Sequence, residues 1–252
     1  MLRVHEFGDP NGPPVLALHG VAAHGRRWSP LAAGELAGFR VLGPDLRGHG
    51  DSSWDPPWSL TRHVGDLIEV LDALGIESVA VVGHSFGGAV GANLAATVPD
   101  RVRALALLDP AIGVDAAGAG AMAREYGIHP GFATMEEALA DRTRSLAPAA
   151  LEFARADVES SLRLGPDGRY RMPWYPPAVS AALGEVVWPL PPLSPALPVL
   201  LLSAAKSGLV DDTLRAALPP HVEVVLDCGH MIYWEELPAV ARELRVFLAA
   251  AR

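Results

Sequence analysis

The sequence is poor in cysteine and lysine and has no long hydrophobic segment. Cys228 is the single cysteine among 252 residues, which excludes an internal disulfide bond. Lys206 is the single lysine among the 20 basic side chains. No run of about 18 consecutive apolar residues occurs, so no transmembrane helix is predicted. The first residues lack the apolar core of a secretory signal peptide, and a cytoplasmic location is the expectation.

Basic side chains are also fewer than acidic ones. The 29 acidic and 20 basic residues give a formal net charge of −9, which argues against a nucleic-acid partner. Hydrophobic residues make up 50% of the chain, enough to build a packed core, so intrinsic disorder is excluded. The length is ordinary for one α/β domain. We therefore expect a single domain over residues 1–252, acting as a monomer or a homodimer.

Short apolar runs alternate with helical patterns in the first and last parts of the chain. Runs typical of buried strands occur at 15–18, 79–82, 105–108 and 199–202, and apolar residues with helical spacing occur at 60–74 and 237–250. This alternation predicts an α/β fold with a mostly parallel sheet and helices on both faces. Residues 111–195 break the alternation and contain helical patches. They are predicted to be a helical cap inserted between two strands.

The segment Gly83-His84-Ser85-Phe86-Gly87 matches the Gly-x-Ser-x-Gly pattern of a catalytic serine. It follows a predicted strand and precedes a predicted helix, which is the structural context of a nucleophilic serine in this pattern. The two glycines permit a tight turn that lifts the hydroxyl of Ser85 above the sheet. Ser85 is therefore predicted to be a nucleophile.

A serine nucleophile needs a base and a group of oxyanion donors. His230 follows the last predicted strand, which is where the base is expected when the chain order is serine, acid, histidine. The backbone N–H of Phe86 is one expected oxyanion donor. Because His19-Gly20-Val21 follows an early strand, the N–H of Val21 is predicted to be the second.

These motifs, in this order, resemble those of α/β-hydrolase-fold serine hydrolases along essentially the whole chain. Within that family the chain is most similar to a group of actinobacterial lipases and esterases, through the stretches 51–58, 107–111 and 227–231. The stretch Asp45–Ser52 also matches a family landmark, and it is expected to form a structural turn whose Arg and Asp pair with each other.

The acid of the catalytic triad is the point at which the sequence departs from the family pattern. In many members an Asp follows the strand that corresponds here to Val199–Leu202, but this chain has Ser207 at that position, next to Lys206. Serine carries no charge to stabilise an imidazolium. Asp109, at the end of the preceding strand, is the preferred candidate, since some family members supply the acid from that strand. Asp211 or Asp212, which resemble helix caps, and the absence of any acid remain alternatives.

The predicted reaction is hydrolysis of a small-molecule carboxylic ester with a short or medium acyl chain. Ser85 forms the acyl-enzyme, His230 acts as base and Asp109 orients it. Substrate-binding candidates near the nucleophile or in the cap are His24, Trp28, Met122, Tyr126, Trp174, Trp188 and Met231. No cofactor or metal is expected, because the histidines lack a ligand spacing such as His-Glu-x-x-His. A C–C-bond or lactone hydrolase with the same triad, or a slow-turnover ligand-binding protein, remains an alternative.

Overall fold

The computed structural model describes residues 2–127 and 130–251, and its centre is a seven-stranded sheet. The strands, in chain order, are β1 (Val4–Gly8), β2 (Pro14–Leu18), β3 (Arg40–Pro44), β4 (Val79–His84), β5 (Val102–Leu108), β6 (Arg163–Leu164), β7 (Tyr170–Arg171), β8 (Val199–Ala204) and β9 (His221–Leu226). The order in the sheet is β1-β3-β2-β4-β5-β8-β9, while β6 and β7 form a separate ribbon. Only β1 runs antiparallel to its neighbour in the large sheet.

Helices connect the strands and cover both faces of the sheet. They are α1 (Ser29–Ala33), α2 (Leu60–Ala73), α3 (Phe86–Thr97), α4 (Ala116–Gly127), α5 (Met135–Thr143), α6 (Leu151–Ser161), α7 (Pro176–Glu185), α8 (Asp212–Ala217), α9 (Ile232–Glu235) and α10 (Leu237–Ala250). Helix α3 begins at Phe86, directly after Ser85. The predicted α/β architecture, with a mostly parallel sheet between helices, is confirmed.

The central strands are buried on both faces because their side chains alternate between two hydrophobic clusters. In β2, Leu16 and Leu18 face the cluster that includes α2 and α3. Val15 and Ala17 face the opposite cluster, which includes α10. This arrangement explains the short continuous apolar runs, since both faces of a parallel sheet are covered. The carboxyl ends of the parallel strands lie at one edge, where loops collect functional side chains.

Residues 111–195, called here the inserted segment, contain α4 to α7 and the small ribbon. Three kinds of contact join the segment to the part of the chain that forms the large sheet and its helices, called here the sheet domain for short. Asp157 pairs with Arg27, the Glu185 carboxylate accepts a bond from the N–H of Leu60 at 2.8 Å, and Tyr175 N–H donates to Gly48 O at 2.8 Å. The segment therefore packs on the loops that precede α1 and α2.

One local expectation, the pairing of Arg and Asp within the turn 45–52, is corrected by the structure. Arg47 does not pair within its own turn; its Nε donates to Asp66 on α2 at 2.7 Å. Asp45 instead accepts backbone hydrogen bonds from Gly25 and Asp51. Asp66 thus joins Arg47 to α2, while Asp45 closes the turn through Asp51 and also binds the loop at Gly25. Among the described residues, no helix is long and apolar enough to cross a membrane.

Candidate active site

Ser85 occupies the sharp turn between β4 and α3. Its φ is +54°, a left-handed conformation that non-glycine residues rarely adopt and that is typical of functional sites. The turn also brings backbones together: a Cβ on Gly87 would lie 2.2 Å from Leu18 O, and one on Gly20 would lie 3.0 Å from Ser85 Cβ. Glycine at these two positions therefore lets the loop after β2 pack directly against Ser85.

His230 and Asp109 form a hydrogen-bonded pair beside this turn. The distance between His230 Nδ1 and Asp109 Oδ2 is 2.6 Å. Because a carboxylate only accepts hydrogen bonds, Nδ1 carries a proton, and in the neutral ring Nε2 is then the nitrogen with the lone pair. Asp109 is fully buried at the end of β5 and has a φ of +41°. His230, in contrast, is partly exposed and lines the same cavity as Ser85.

Ser207 contacts the other oxygen of the Asp109 carboxylate. Its hydroxyl donates to Asp109 Oδ1 at 2.9 Å, and the N–H of Ala204 donates to the same atom at 3.1 Å. Asp109 thus receives hydrogen bonds from the end of β8, from the loop that follows β8 and from His230. Lys206 points elsewhere, since its Nζ pairs with Asp227 Oδ1 at 3.0 Å.

The alternative acids have other partners. Asp211 caps α8 by accepting a hydrogen bond from the N–H of Leu214 at 2.8 Å. Asp212 is exposed and pairs with Arg215 at 3.2 Å. In the part of the chain that the structure describes, Asp109 is the carboxylate bound to His230.

Val21, in the loop after β2, and Phe86, at the start of α3, both line the cavity that contains Ser85. His19 fixes this loop, since its Nδ1 contacts Gly20 O at 2.7 Å and its Nε2 accepts from the N–H of Leu46 at 2.9 Å. Burial, assisted by the neighbouring His49, holds the pKa of His19 well below its usual value. His19 is therefore uncharged, with its proton on Nδ1.

His84, between Gly83 and Ser85, contacts the loop that carries His230, a contact that the sequence did not indicate. Its Nε2 contacts the carbonyl oxygen of His230 at 2.8 Å. Burial and the nearby His230 hold the pKa of His84 well below its usual value, so the ring is neutral and donates from Nε2. This bond ties the loop that carries His230 to the turn that carries Ser85.

A cavity of about 300 Å³ opens above Ser85. Its walls come from the sheet domain and from the inserted segment, which contributes Met122 and Tyr126 from α4 and Leu183 from α7. Met231 lines it from the loop after β9. The structure thus brings Ser85, His230, Val21 and Phe86 together with three of the predicted substrate-binding residues, namely Met122, Tyr126 and Met231.

The structure corrects the predictions for His24 and Trp28. His24 is buried with its Nε2 at 2.9 Å from Asp157 Oδ1, and Trp28 is fully buried and stacks on Tyr233 with ring centroids 4.8 Å apart. Neither side chain lines the cavity. Both were assigned from proximity in sequence to the loop after β2, but the short helical turn Gly25–Trp28 directs them away from Ser85.

Trp174 and Trp188 also lie outside this cavity. Trp174 lines a separate cleft of about 260 Å³ with Trp54 and Tyr175, and its ring contacts Tyr126 at a centroid distance of 5.4 Å. Trp188 is 62% exposed. Two arginines that the sequence analysis did not consider, Arg27 and Arg142, do line the cavity. Neither arginine belongs to a recognisable sequence motif, and only the fold brings them into the cavity that contains Ser85.

The sequence matches the α/β-hydrolase-fold family over residues 13–237. The chain therefore belongs to the α/β-hydrolase-fold family and is a hydrolase. Among its relatives is "Lipase LipV" of Mycobacterium tuberculosis, which is 37% identical over 253 residues and aligns with 97% of this chain and 96% of that protein. The two chains thus match over nearly their whole length and not only in the motifs.

Solved structures agree with this fold. A structure titled "Marine microorganism esterase" superposes with a TM-score of 0.80 and 23% identity, covering 98% of both chains. The structure of E-2-(acetamidomethylene)succinate hydrolase gives a TM-score of 0.87 and 22% identity, covering 98% of this chain and 95% of the other. At such identities the likeness shows the fold alone.

Proposed function

We propose that this chain hydrolyses carboxylic esters with a short or medium acyl chain, through an acyl-enzyme on Ser85. The observation that carries the proposal is the 2.6 Å contact between His230 Nδ1 and the buried Asp109. It leaves Nε2 of a cavity-lining histidine free to accept a proton, in the cavity that also contains Ser85. The full-length similarity to a protein named as a lipase supports the same reaction.

The proposed reaction has two halves. His230 Nε2 removes the proton from Ser85 Oγ, which attacks the ester carbonyl, and the N–H groups of Val21 and Phe86 stabilise the oxyanion. His230 then gives the proton to the departing alcohol. In the second half His230 activates a water molecule, which releases the acid and regenerates Ser85. Asp109 holds the His230 ring in the required tautomer throughout.

The size of the cavity supports the proposed chain length. Small-ligand sites usually measure roughly 300–1,000 Å³, and this cavity lies at the lower end of that range. The inserted segment forms one wall of it, through α4, α5 and α7. We propose that this segment, residues 111–195, is a cap that limits the length of the acyl group, within a single hydrolase domain.

A series of p-nitrophenyl esters from acetate to laurate tests the proposal. We expect kcat/KM to be highest for the short and medium esters and to fall for the longest. The Ser85→Ala variant, which removes only the hydroxyl, should abolish turnover of every ester. Negligible hydrolysis across the whole series by the wild-type chain would contradict the assignment to ester substrates.

A further inference from the structure

The charges on the wall of the cavity have one sign. Among the described side chains that line it, only Arg27 and Arg142 carry a formal charge at neutral pH, and both are positive. The rest of the lining is largely apolar, apart from Ser85, Ser207, Tyr126 and the two histidines His84 and His230. A pair of arginines in this setting requires an explanation, because burying a charge is costly unless it is paired.

Arg27 is paired within the protein. Its Nε and Nη2 donate to the two oxygens of Asp157 at 2.9 and 2.7 Å, and Nη2 also donates to Ala22 O at 3.2 Å. This is the two-pronged geometry in which arginine binds a carboxylate most strongly. Arg27 is thus held in place between the sheet domain and α6.

Arg142, on α5, does not have such a partner. Its nearest carboxylate oxygen is Asp157 Oδ2, at 3.7 Å from Nε. Nε and Nη2 are buried and donate no hydrogen bond to any described residue. Its guanidinium lies over the ring of Trp234 at 5.6 Å. The side chain keeps 22% of its surface exposed and reaches the cavity.

The surroundings of Arg142 contain more positive than negative charge. The single carboxylate of Asp157 is the counter-charge of both arginines, and its Oδ1 also lies 2.9 Å from His24 Nε2. Burial and the neighbouring Arg27 lower the pKa of Arg142 to about 10, so it remains protonated at neutral pH. An anion in the cavity would supply the hydrogen-bond acceptors and the negative charge that this guanidinium lacks.

We infer that the cavity selects esters whose acyl part carries a carboxylate, with Arg142 binding that carboxylate and Arg27 adding to the positive potential. The inference rests on the proposed ester hydrolysis at Ser85 and narrows its substrate class. A planar carboxylate matches the fork of a guanidinium. The apolar side chains of α4 and α7 then surround the methylene groups between the two carbonyl carbons.

Matched pairs of esters distinguish the effect of a negative charge on the acyl group from the effect of its size. The anionic substrates are the mono-p-nitrophenyl esters of glutarate, adipate and pimelate, with uncatalysed hydrolysis subtracted. Each is compared with a neutral ester in which an isopropyl group replaces the carboxylate, such as p-nitrophenyl 6-methylheptanoate for the adipate. We expect the wild-type chain to prefer at least one anionic ester over its neutral counterpart in kcat/KM. In Arg142→Gln the anionic-to-neutral ratio should fall about 10- to 100-fold, as for a lost charge-assisted hydrogen bond.

Two further variants control for structure and for charge. Arg142→Lys keeps the positive charge but loses the fork, and should retain part of the preference. Arg144→Gln removes a charge two residues further on, where the arginine is 74% exposed and pairs with Asp141, and should leave the ratio unchanged. An equal ratio in wild type and Arg142→Gln, with both proteins folded and hydrolysing the neutral esters, would overturn the inference and leave the proposed function intact.

Binding of adipate, measured without turnover, tests the carboxylate site independently of the proposed ester hydrolysis. Adipate at constant ionic strength should raise the melting temperature of Ser85→Ala, and this shift should be lost in Ser85→Ala/Arg142→Gln. Absence of hydrolysis of all esters together with this shift would reject the proposed function but retain the carboxylate site. Absence of the shift in Ser85→Ala would reject the site.

Discussion

Asp109 is a fully buried carboxyl group that receives three hydrogen bonds, one of them from His230. If it orients His230, Asp109→Asn should lower kcat on the order of 10⁴-fold, because the wrong imidazole tautomer becomes favoured. Asp211→Asn is the matched control, since Asp211 only caps α8, and its kcat should stay near that of the wild type. Steady-state kinetics on a p-nitrophenyl ester measures both. Full activity in Asp109→Asn would contradict the proposed role.

Ser207 stands where many family members have their acid, and its hydroxyl is 2.9 Å from Asp109 Oδ1. A carboxylate at this position should therefore replace Asp109. We expect Asp109→Asn/Ser207→Asp to recover at least about 10-fold in kcat over Asp109→Asn alone, since an orienting charge is restored. The control is Asp109→Asn/Ser207→Asn, which has the same shape without the charge. Equal kcat values for the two double variants would reject the replacement.

At the scale of elements, Asp157 joins α6 to the loop that carries Arg27. The carboxylate is 3% exposed in its ion pair with Arg27, which is itself buried, and the neighbouring positive charges hold its pKa far below the usual range. Asp157→Asn leaves Arg27 without its counter-charge and should lower the free energy of unfolding by about 3–5 kcal/mol. Urea unfolding measures this change.

The matched control for Asp157 is Asp141→Asn. Asp141 pairs with Arg144 on the surface of α5, and the loss of an exposed pair should cost about 1 kcal/mol or less. Limited proteolysis should cut the inserted segment faster in Asp157→Asn than in Asp141→Asn. Equal stabilities and equal cleavage rates would show that the Asp157–Arg27 pair does not hold the segment in place.

The sheet was predictable from the sequence, while much of the inserted segment was not. Buried parallel strands leave continuous apolar runs, which is why β4, β5 and β8 were identified. Helix α4 begins in a stretch of alanine and glycine without an apolar period, and α7 begins at Pro176 and Pro177, within a segment rich in proline and tryptophan. Proline is compatible with the first turn of a helix. The helical structure of α4 and α7 therefore depends on packing against other elements and not on the local sequence pattern.

The same distinction applies to the candidate site. Ser85 and His230 occupy positions defined by a local pattern and by chain order, so both were selected from sequence. Asp109 was preferred because some family members supply the acid from the strand that it ends, and the structure shows that this strand, β5, pairs with β8. Arg27 and Asp157 are 130 residues apart, and no local pattern links them. The two arginines that line the cavity could therefore be identified only from the structure.

At the scale of the whole molecule, buried histidines make stability depend on pH. Burial, assisted by His49, lowers the pKa of His63 to about 3, against about 6.5 in the unfolded chain. The stability associated with neutral His63 is present above pH 6.5 and is lost as the pH falls from 6.5 towards 3. The loss approaches about 1.4 kcal/mol per pH unit, because only the unfolded state binds the proton.

Substitution isolates this contribution. His63→Gln should have a flatter dependence of unfolding free energy on pH between 6.5 and 4.5 than the wild type, measured by urea unfolding. Thr61→Gln, at an exposed position of the same helix, should keep the wild-type slope. An unchanged slope in His63→Gln would show that His63 is not the group that takes up the proton.

The central claim is that Ser85 is the nucleophile, and covalent labelling tests it most directly. The folded chain is treated with a fluorophosphonate, and the intact mass and the peptide that contains Ser85 are measured. We predict one adduct per chain on Ser85, with no adduct in Ser85→Ala or in the wild-type chain unfolded beforehand. An unlabelled folded chain, or an adduct on another residue that persists in Ser85→Ala, would contradict the claim.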